Sequence, residues 1–139
     1  MADRVSAELR RLVATRADYL CEYCLIAEED SFFGCEVDHI IALKHGGSTE
    51  PDNLAYACLF CNRNKGSDIA SLSQQTGNLV RLFNPRTDRW TEHFRLAEHE
   101  IRALTEIGEV TARILRLNDS ERLLERYELK AIGRYPAER

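Results

Sequence analysis

The first twenty residues place apolar side chains at helical spacing. Between charged arginines, four apolar residues recur three to four positions apart: Val5, Leu9, Leu12 and Val13. That period is typical of an amphipathic helix with one apolar stripe. We therefore predict a helix from about Ser6 to Ala17 that packs this stripe against the core.

A period of two replaces the helical period between Cys35 and Leu43. Positions 35, 37, 39 and 41 alternate with positions 36, 38 and 40, which predicts a strand with one buried face. Turn residues at His45–Ser48 and Pro51–Asp52 frame a loop, and Asn53–Ala57 has the pattern of a returning strand. A short helix is predicted from Asn62 to about Ala70. The segment is thus a β-hairpin followed by a helix.

The pattern weakens after this helix but still indicates a second hairpin. Alternation from Trp90 onward predicts a strand whose polar face carries His93 and Arg95 together. The elements predicted in this region are a linker at Ala70–Asn78, a short strand at Leu79–Phe83, a turn at Asn84–Arg86, a strand from Trp90 to Leu96 and a partner strand at Ile101–Leu104.

Two helices are predicted at the C-terminal end. Apolar residues at helical spacing define the first, from Thr105 to Leu117: Ile107, Val110, Ile114 and Leu117. Asn118 is placed to cap the second, with Glu121 in the capping-box position and Gly133 closing the helix. We expect the apolar face of this last helix, which contains Leu123, Leu124 and Tyr127, to pack against the core.

Length and composition limit the architecture. A chain of 139 residues with 44% hydrophobic content is long enough for one domain and too short for two, so we expect a single domain over residues 1–139. Its core is predicted at 19–70 and its C-terminal extension at 79–133. The mixture of helices and hairpins predicts the α+β class. No apolar run approaches the ~20 residues that span a bilayer, so we expect a cytoplasmic protein without membrane contact.

The net charge of −4 hides a gradient along the chain. Residues 37–90 carry six basic and five acidic side chains, whereas residues 1–36 carry four basic and eight acidic ones. Phosphate contacts are made by Lys and Arg, so the middle of the chain is the better candidate for a nucleic-acid surface. Ordinary solvated charges are the alternative. The residues concerned are Arg63, Lys65, Arg81, Arg86 and Arg89.

Four of the five cysteines form two Cys-x-x-Cys pairs, Cys21/Cys24 and Cys58/Cys61. In a reducing compartment, an odd number of cysteines in this spacing favours a metal site over disulfides. Four thiolates make a closed tetrahedral zinc site, which is structural because no coordination position stays open. Four buried thiols without metal are the alternative. Cys35 is left over and is expected to be a small apolar filler.

Between and beside the two pairs lie candidate catalytic groups. Asp38 and His39 supply a carboxylate and an imidazole, and Asn62 adds an amide oxygen next to a zinc ligand. Such groups can bind a hard cation and take a proton from water. Because neighbouring side chains on a strand point to opposite faces, Asp38 and His39 can serve one phosphate only where the strand twists or ends. The acidic run at Glu28–Asp30 is expected to be a solvated loop.

These residues together resemble the HNH nuclease family of the zinc-stapled ββα-metal type. The resemblance rests on the two cysteine pairs, on Val37-Asp38-His39-Ile40, on His45-Gly46-Gly47, on Asn53-Leu54 and on Cys61-Asn62-x-x-Lys65. His39 and Asn53 are fourteen residues apart and Asn53 and Asn62 nine, which is similar to the spacing in that family. The last letter of the family name is asparagine here, a variant that resembles the nuclease domain of some CRISPR effectors.

The resemblance implies a role for each site residue. His39 is the general base, Asp38 and Asn62 bind one catalytic Mg²⁺ or Mn²⁺, and Asn53 orients the loop that aims His39. For Asn53, a plain turn residue is the alternative. Arg63 and Lys65 are candidate phosphate clamps. His45 is a further substrate-binding candidate or else a mobile loop residue.

The sequence therefore predicts a metal-dependent endonuclease, a phosphodiester hydrolase acting on DNA. The resemblance implies 5′-phosphate and 3′-hydroxyl product ends. One alternative is a catalytically weak, zinc-stapled nucleic-acid-binding module, and another is an interaction scaffold whose C-terminal helices bind a protein partner. We expect that Asp38→Ala abolishes cleavage with folding intact, whereas Cys58→Ala releases zinc and melts the domain.

Overall fold

The computed structural model describes residues 4–138, in which helices and short antiparallel hairpins alternate. The helices are α1 (Ala7–Arg16), α2 (Leu59–Lys65), α3 (Trp90–His93), α4 (Glu106–Ile114) and α5 (Ser120–Ala131). The strands are β1 (Cys35–His39), β2 (Leu54–Cys58), β3 (Ala70–Leu72), β4 (Leu79–Arg81), β5 (Phe94–Ala97) and β6 (Glu100–Ala103). Strands pair only with their neighbours in sequence, as β1–β2, β3–β4 and β5–β6. The predicted α+β class is confirmed.

Helix α1 forms where the apolar period predicted it. The Ser6 side chain caps its N-terminus by accepting a hydrogen bond from the Leu9 N–H (3.1 Å). At the other end Arg16 donates to the carbonyls of Pro51 and Leu54 (2.9 and 2.7 Å). These bonds fix α1 against the start of β2. Val13 of the same helix is fully buried.

Strands β1 and β2 pair antiparallel, with Cys35 opposite Cys58 and His39 opposite Leu54. Every residue of β2 is buried, so this strand is covered on both faces. Helix α2 follows β2 without a loop and begins at Leu59, three residues before the predicted start. The reason is local, because the Cys58 sulfur accepts the Cys61 N–H (3.5 Å) and caps the helix.

Two predictions for the middle of the chain are wrong. The segment Ala70–Asn78 is not a linker, because β3 pairs with β4 from Ala70 opposite Arg81 to Leu72 opposite Leu79. Trp90–His93 is not a strand but the short helix α3, and strand β5 begins only at Phe94. The Trp90 indole donates to the Tyr23 carbonyl (2.9 Å), a contact 67 residues away that no local period encodes.

The C-terminal helices lie close to their predicted bounds, but their caps and faces differ. Asn118 caps neither helix; its amide bonds both backbone groups of Ile101 (3.0 and 2.7 Å) and so ties the connection between α4 and α5 to β6. Asp119 takes the N-cap position of α5. The predicted apolar face of α5 is wrong, since Leu124 and Tyr127 are exposed whereas Arg122 and Arg126 are buried.

One hydrophobic core includes residues from Val13 in α1 to Tyr135 beyond α5. The C-terminal extension therefore shares its core with the hairpin and α2. Within residues 4–138, no helix is both long and apolar enough to cross a membrane.

Candidate metal centre and active site

The two Cys-x-x-Cys pairs meet at the end of the β1–β2 hairpin. Their four sulfurs lie within 4.8 Å of one another and all four residues are buried. Each pair forms a tight turn in which the fourth residue's N–H points at the first sulfur (3.5 Å in both turns). The predicted cluster of Cys21, Cys24, Cys58 and Cys61 is confirmed.

The spacing of the sulfurs fits a tetrahedral zinc ion. Zn–S bonds of about 2.3 Å place neighbouring sulfurs of a tetrahedral site about 3.8 Å apart. The Cys24 and Cys58 sulfurs are 3.8 Å apart, far longer than the roughly 2.05 Å of a disulfide bond. The donor set, its burial and its spacing therefore fit a closed structural zinc site.

Residues of the C-terminal extension surround this cluster. The Tyr135 hydroxyl donates to the Cys24 carbonyl (2.8 Å), and the guanidinium of Arg122 lies against Cys58 and Cys61. Cys35 is buried across from Cys58 and outside the four-sulfur group, in keeping with a filler role. The metal centre is thus enclosed by both halves of the chain.

Helix α2 lies along β1, and two polar pairs connect them. The Asn62 amide donates to Glu36 (2.9 Å), and one helical turn later Lys65 forms an ion pair with Asp38 (3.2 Å). Glu36 and Asp38 are two residues apart and share one face of the strand. We call this line of four residues the α2–β1 seam. Its Glu36 end is exposed and its Asp38 end is buried.

Asp38 is the most enclosed of the proposed ligands of the catalytic cation, with 4% of its surface exposed. Lys65 Nζ lies 3.3 Å and 3.2 Å from its two carboxylate oxygens, and the Tyr23 hydroxyl donates to it (3.1 Å). Burial raises the pKa of the Asp38 carboxyl, and the Lys65 ammonium opposes that rise. Both oxygens are thus already held by a cation of the protein itself.

By donor type, the seam fits a divalent cation. Two carboxylates and an amide oxygen are the hard donors that Mg²⁺ and Mn²⁺ prefer. The Lys65 ammonium, however, lies where a cation would contact Asp38. A cation can bind Asp38 there only if the Lys65 ammonium moves away from the carboxylate.

His39 ends β1, and its ring lies on the side of the strand opposite Asp38. Its Nε2 is 3.0 Å from the Thr49 hydroxyl, and the ring is half-buried. The Lys65 ammonium reaches past Asp38 to donate to the His39 carbonyl (3.1 Å). Strand β1 ends at this residue, as the sequence required for Asp38 and His39 to serve one site.

Asn53 ties together the loop that follows His39. Its side-chain oxygen accepts the Ile41 N–H (2.9 Å), and its amide donates to the carbonyls of Ile41 and Ser48 (3.0 and 2.7 Å). Gly47 passes so close to this point that a Cβ would lie 1.8 Å from the Ile41 carbonyl oxygen. The loop that carries Thr49 is therefore held in one shape by an amide and a glycine.

The predicted basic surface is largely wrong. Arg81 forms a two-point ion pair with Asp88 (2.7 and 2.9 Å), and Arg86 pairs with Glu22. The partner of Arg81 lies seven residues along the chain, whereas the partner of Arg86 comes from 64 residues away. Arg89 lies 4.0 Å from Glu92, with both side chains exposed. The basic stretch therefore offers less free charge than the sequence indicates.

The remaining candidates lie at the surface or elsewhere. The side chains of Arg63, on the exposed side of α2, and His45, in a short 3₁₀ turn, make no hydrogen bond or ion pair within residues 4–138. His93 bonds the Thr105 hydroxyl (2.7 Å), away from the seam. Lys65, predicted to contact phosphate, is only 2% exposed.

Comparison with known families gives a match to one segment of the chain. Residues 21–68 match the HNH endonuclease family. The match covers 48 of the 139 residues, and we call this segment the HNH domain. Neither curated proteins nor solved structures give a match to the chain. The HNH domain spans the four cysteines, the β1–β2 hairpin and α2, and residues 69–138 extend it.

Three polar residues of the HNH domain were missed by the sequence reasoning. Glu36 bonds Asn62, Thr49 bonds His39, and Tyr23 bonds Asp38. Only Glu36 had a signal, because it lies two positions before Asp38 on the same face of a predicted strand. Thr49 and Tyr23 meet their partners through the loop and the first zinc turn, which spacing alone does not reveal.

The burial of Asp38 corrects the expectation that Asp38→Ala leaves folding intact. Removing one partner of a buried ion pair leaves the other charge uncompensated and destabilises a protein by about 3–5 kcal/mol. We expect Asp38→Ala to lower the free energy of unfolding by about that amount, measured by urea denaturation. Glu36→Ala, on the exposed end of the same strand face, should change it by less than about 0.5 kcal/mol.

The double variant Asp38→Leu with Lys65→Met removes both charges and should recover most of the lost stability. Equal stability of Asp38→Ala and the natural protein would show that Lys65 is not held by Asp38 in solution.

Proposed function

We propose that the HNH domain is a metal-dependent endonuclease that hydrolyses phosphodiester bonds of DNA. The observation that carries this proposal is the family match over residues 21–68, the same stretch that holds the four-cysteine cluster, the hairpin and α2. Further support comes from the seam, where Glu36 and Asp38 of β1 meet Asn62 and Lys65 of α2, and from the Lys65 ammonium, which also donates to the His39 carbonyl.

Asp38 and Asn62 are the proposed ligands of one catalytic Mg²⁺ or Mn²⁺. Glu36, bonded to Asn62 and exposed, is a third oxygen donor on the same seam. The bound cation would stabilise negative charge on the phosphate group during the reaction. Lys65 must release Asp38 for this, and its ammonium then becomes available to a phosphate oxygen nearby.

His39 is the proposed general base that takes a proton from the attacking water. Imidazole is the side chain that most often serves as a general base, because it can take up and release a proton near neutral pH. Its contact with Thr49 fixes the ring, and Asn53 fixes the loop that carries Thr49. We assign Asn53 a positioning role, because its three hydrogen bonds all lie within that loop.

Arg63 and His45 are the proposed contacts to the DNA backbone. Both are exposed and lack partners within residues 4–138, so each is available to a phosphate. Arginine offers a planar, permanently charged donor group that suits phosphate oxygens. Such contacts position the backbone and carry no sequence preference.

The four-cysteine cluster is proposed to hold a structural zinc ion. A closed tetrahedral site leaves no position for substrate, so its function is to hold the hairpin and α2 together. A catalytically weak nucleic-acid-binding module is the second candidate function. The Lys65–Asp38 ion pair favours it, since that pair competes with any cation for the same carboxylate.

Incubation of supercoiled plasmid with the purified protein tests the proposal. We expect nicking with added Mg²⁺ or Mn²⁺ and none without an added cation, because Lys65 alone does not supply the cation's charge. The zinc content of every sample is measured in parallel, since a chelator that removes structural zinc would also stop the reaction.

The salt dependence of DNA binding separates the two candidates. Salt-sensitive binding without nicking at any cation concentration would favour the binding module over the nuclease. A protein that neither nicks nor binds DNA would contradict both and leave a scaffold role.

A further inference from the structure

Helix α5 buries arginines where a surface helix normally buries apolar residues. Arg122 and Arg126, one turn apart, are 4% and 0% exposed, while Leu124 and Tyr127 of the same helix are more than half exposed. Buried arginines are rare unless they are paired. The partners of these two side chains therefore explain the orientation of the helix.

Arg122 spans the two sulfurs of the second Cys-x-x-Cys pair. Its Nη2 lies 3.7 Å from Cys58 Sγ and 3.6 Å from Cys61 Sγ, and its Nη1 lies 3.7 Å from Cys61 Sγ. The guanidinium also lies over the Phe60 ring, 5.5 Å from its centroid, and Glu125 is 3.6 Å from its Nε. These contacts hold the planar group with its N–H bonds directed at two metal ligands.

A zinc ion bound by four thiolates carries two net negative charges. All four cysteines are buried, and burying uncompensated charge is strongly unfavourable. Three cationic side chains are buried within residues 4–138. Lys65 is bonded to Asp38 and His39, and Arg126 donates to the His99 carbonyl and to Asn118. Arg122 is the one of the three that donates to sulfur.

We propose that Arg122 is a positioning residue of the metal centre, which neutralises part of the thiolate charge and retains zinc through N–H···S bonds to Cys58 and Cys61. This inference rests on the proposed zinc site and adds a component from outside the HNH match. The C-terminal extension thereby contributes directly to the metal centre. Hydrogen bonds also withdraw electron density from the sulfurs, so they lower the reactivity of the sulfurs toward electrophiles.

The test compares Arg122→Met with Arg126→Met, which removes an equally buried guanidinium from the same helix without touching sulfur. Zinc release to a colorimetric chelator is timed under conditions in which each variant is fully folded by circular dichroism. Loss of an outer partner of a metal ligand typically weakens metal binding about 10–100-fold. We expect Arg122→Met to release zinc faster by a factor in that range and Arg126→Met to match the natural protein.

Cobalt-substituted protein gives a readout that a purely structural role would not move. Without the guanidinium the sulfurs are richer in electrons, so the sulfur-to-cobalt charge-transfer band should shift to longer wavelength in Arg122→Met and stay in place in Arg126→Met. Arg122→Lys keeps the charge but lacks the fork that spans two sulfurs, and we expect an intermediate release rate. If Arg122→Met does not fold, Arg122→Lys replaces it in both measurements.

Two results would overturn the proposal, and they are distinguishable. If the natural protein does not bind stoichiometric zinc, the proposed zinc site is wrong, and the role of Arg122 is rejected with it. Stoichiometric zinc with release rates and cobalt spectra unchanged in both Arg122 variants would reject the role of Arg122 alone.

Discussion

Replacement of His39 by alanine is expected to lower the rate of DNA cleavage by about 10²–10⁴-fold, the usual contribution of a general base. The ring is half-buried at the end of β1, and its one side-chain hydrogen bond within residues 4–138 is with the Thr49 hydroxyl. Its removal therefore leaves folding nearly unchanged. The measurement is the single-turnover nicking rate at saturating Mg²⁺, with the melting temperature and zinc content of both proteins recorded.

His99→Ala is the matched control for this substitution. His99 contacts the Tyr127 ring at the far end of the extension and has no part in the α2–β1 seam. It should nick plasmid at the rate of the natural protein. Undiminished nicking by His39→Ala would reject the general base, and equal losses in both variants would point to general destabilisation.

Replacement of Cys58 by alanine is expected to remove zinc and unfold the domain. Structural zinc contributes about 10–16 kcal/mol in small zinc domains, which equals or exceeds the 5–15 kcal/mol by which most domains are stable. Cys58 also ends β2, caps α2 through its sulfur and accepts a hydrogen bond from Arg122. Zinc analysis, far-ultraviolet circular dichroism and thermal melting measure the outcome.

Cys35→Ala provides the comparison. Cys35 is buried directly across the hairpin from Cys58 but lies outside the four-sulfur cluster. This variant should keep one zinc per chain and melt cooperatively. If Cys58→Ala kept its zinc content and melting temperature, the structural zinc assignment would be wrong.

The parts of the fold that depend on neighbouring residues could be predicted from the sequence. Two Cys-x-x-Cys pairs specify their own turns, and the alternation before His39 specifies a strand. The apolar spacing near the N-terminus likewise predicted α1. Each of these signals lies within about a dozen residues, so no knowledge of the tertiary fold was needed.

Three of the errors depend on partners that are distant in sequence. Trp90 takes a helical turn because its indole reaches Tyr23, and Asn118 leaves its cap position because its amide joins Ile101. Arg86 was counted as free charge, yet it pairs with Glu22. In each case a tertiary contact outweighed local propensity.

The candidate active site shows the same division. The spacing made His39, Asn53 and Asn62 candidates, and the structure adds that the contacts of Asn53 hold the loop after His39. The lysine that holds Asp38 was predicted to face phosphate instead. Lys65 is buried because α2 packs closely on β1, and the sequence does not show how close these two elements lie.

The hydrogen bond from Tyr135 to the Cys24 carbonyl joins residues 111 positions apart. During translation, Cys24 leaves the ribosome long before Tyr135 is synthesised. A nascent chain therefore leaves its first pair of thiols uncovered until α5 and the residues that follow it have been made. The four-cysteine cluster is fully enclosed only after Tyr135 has left the ribosome and packed against it.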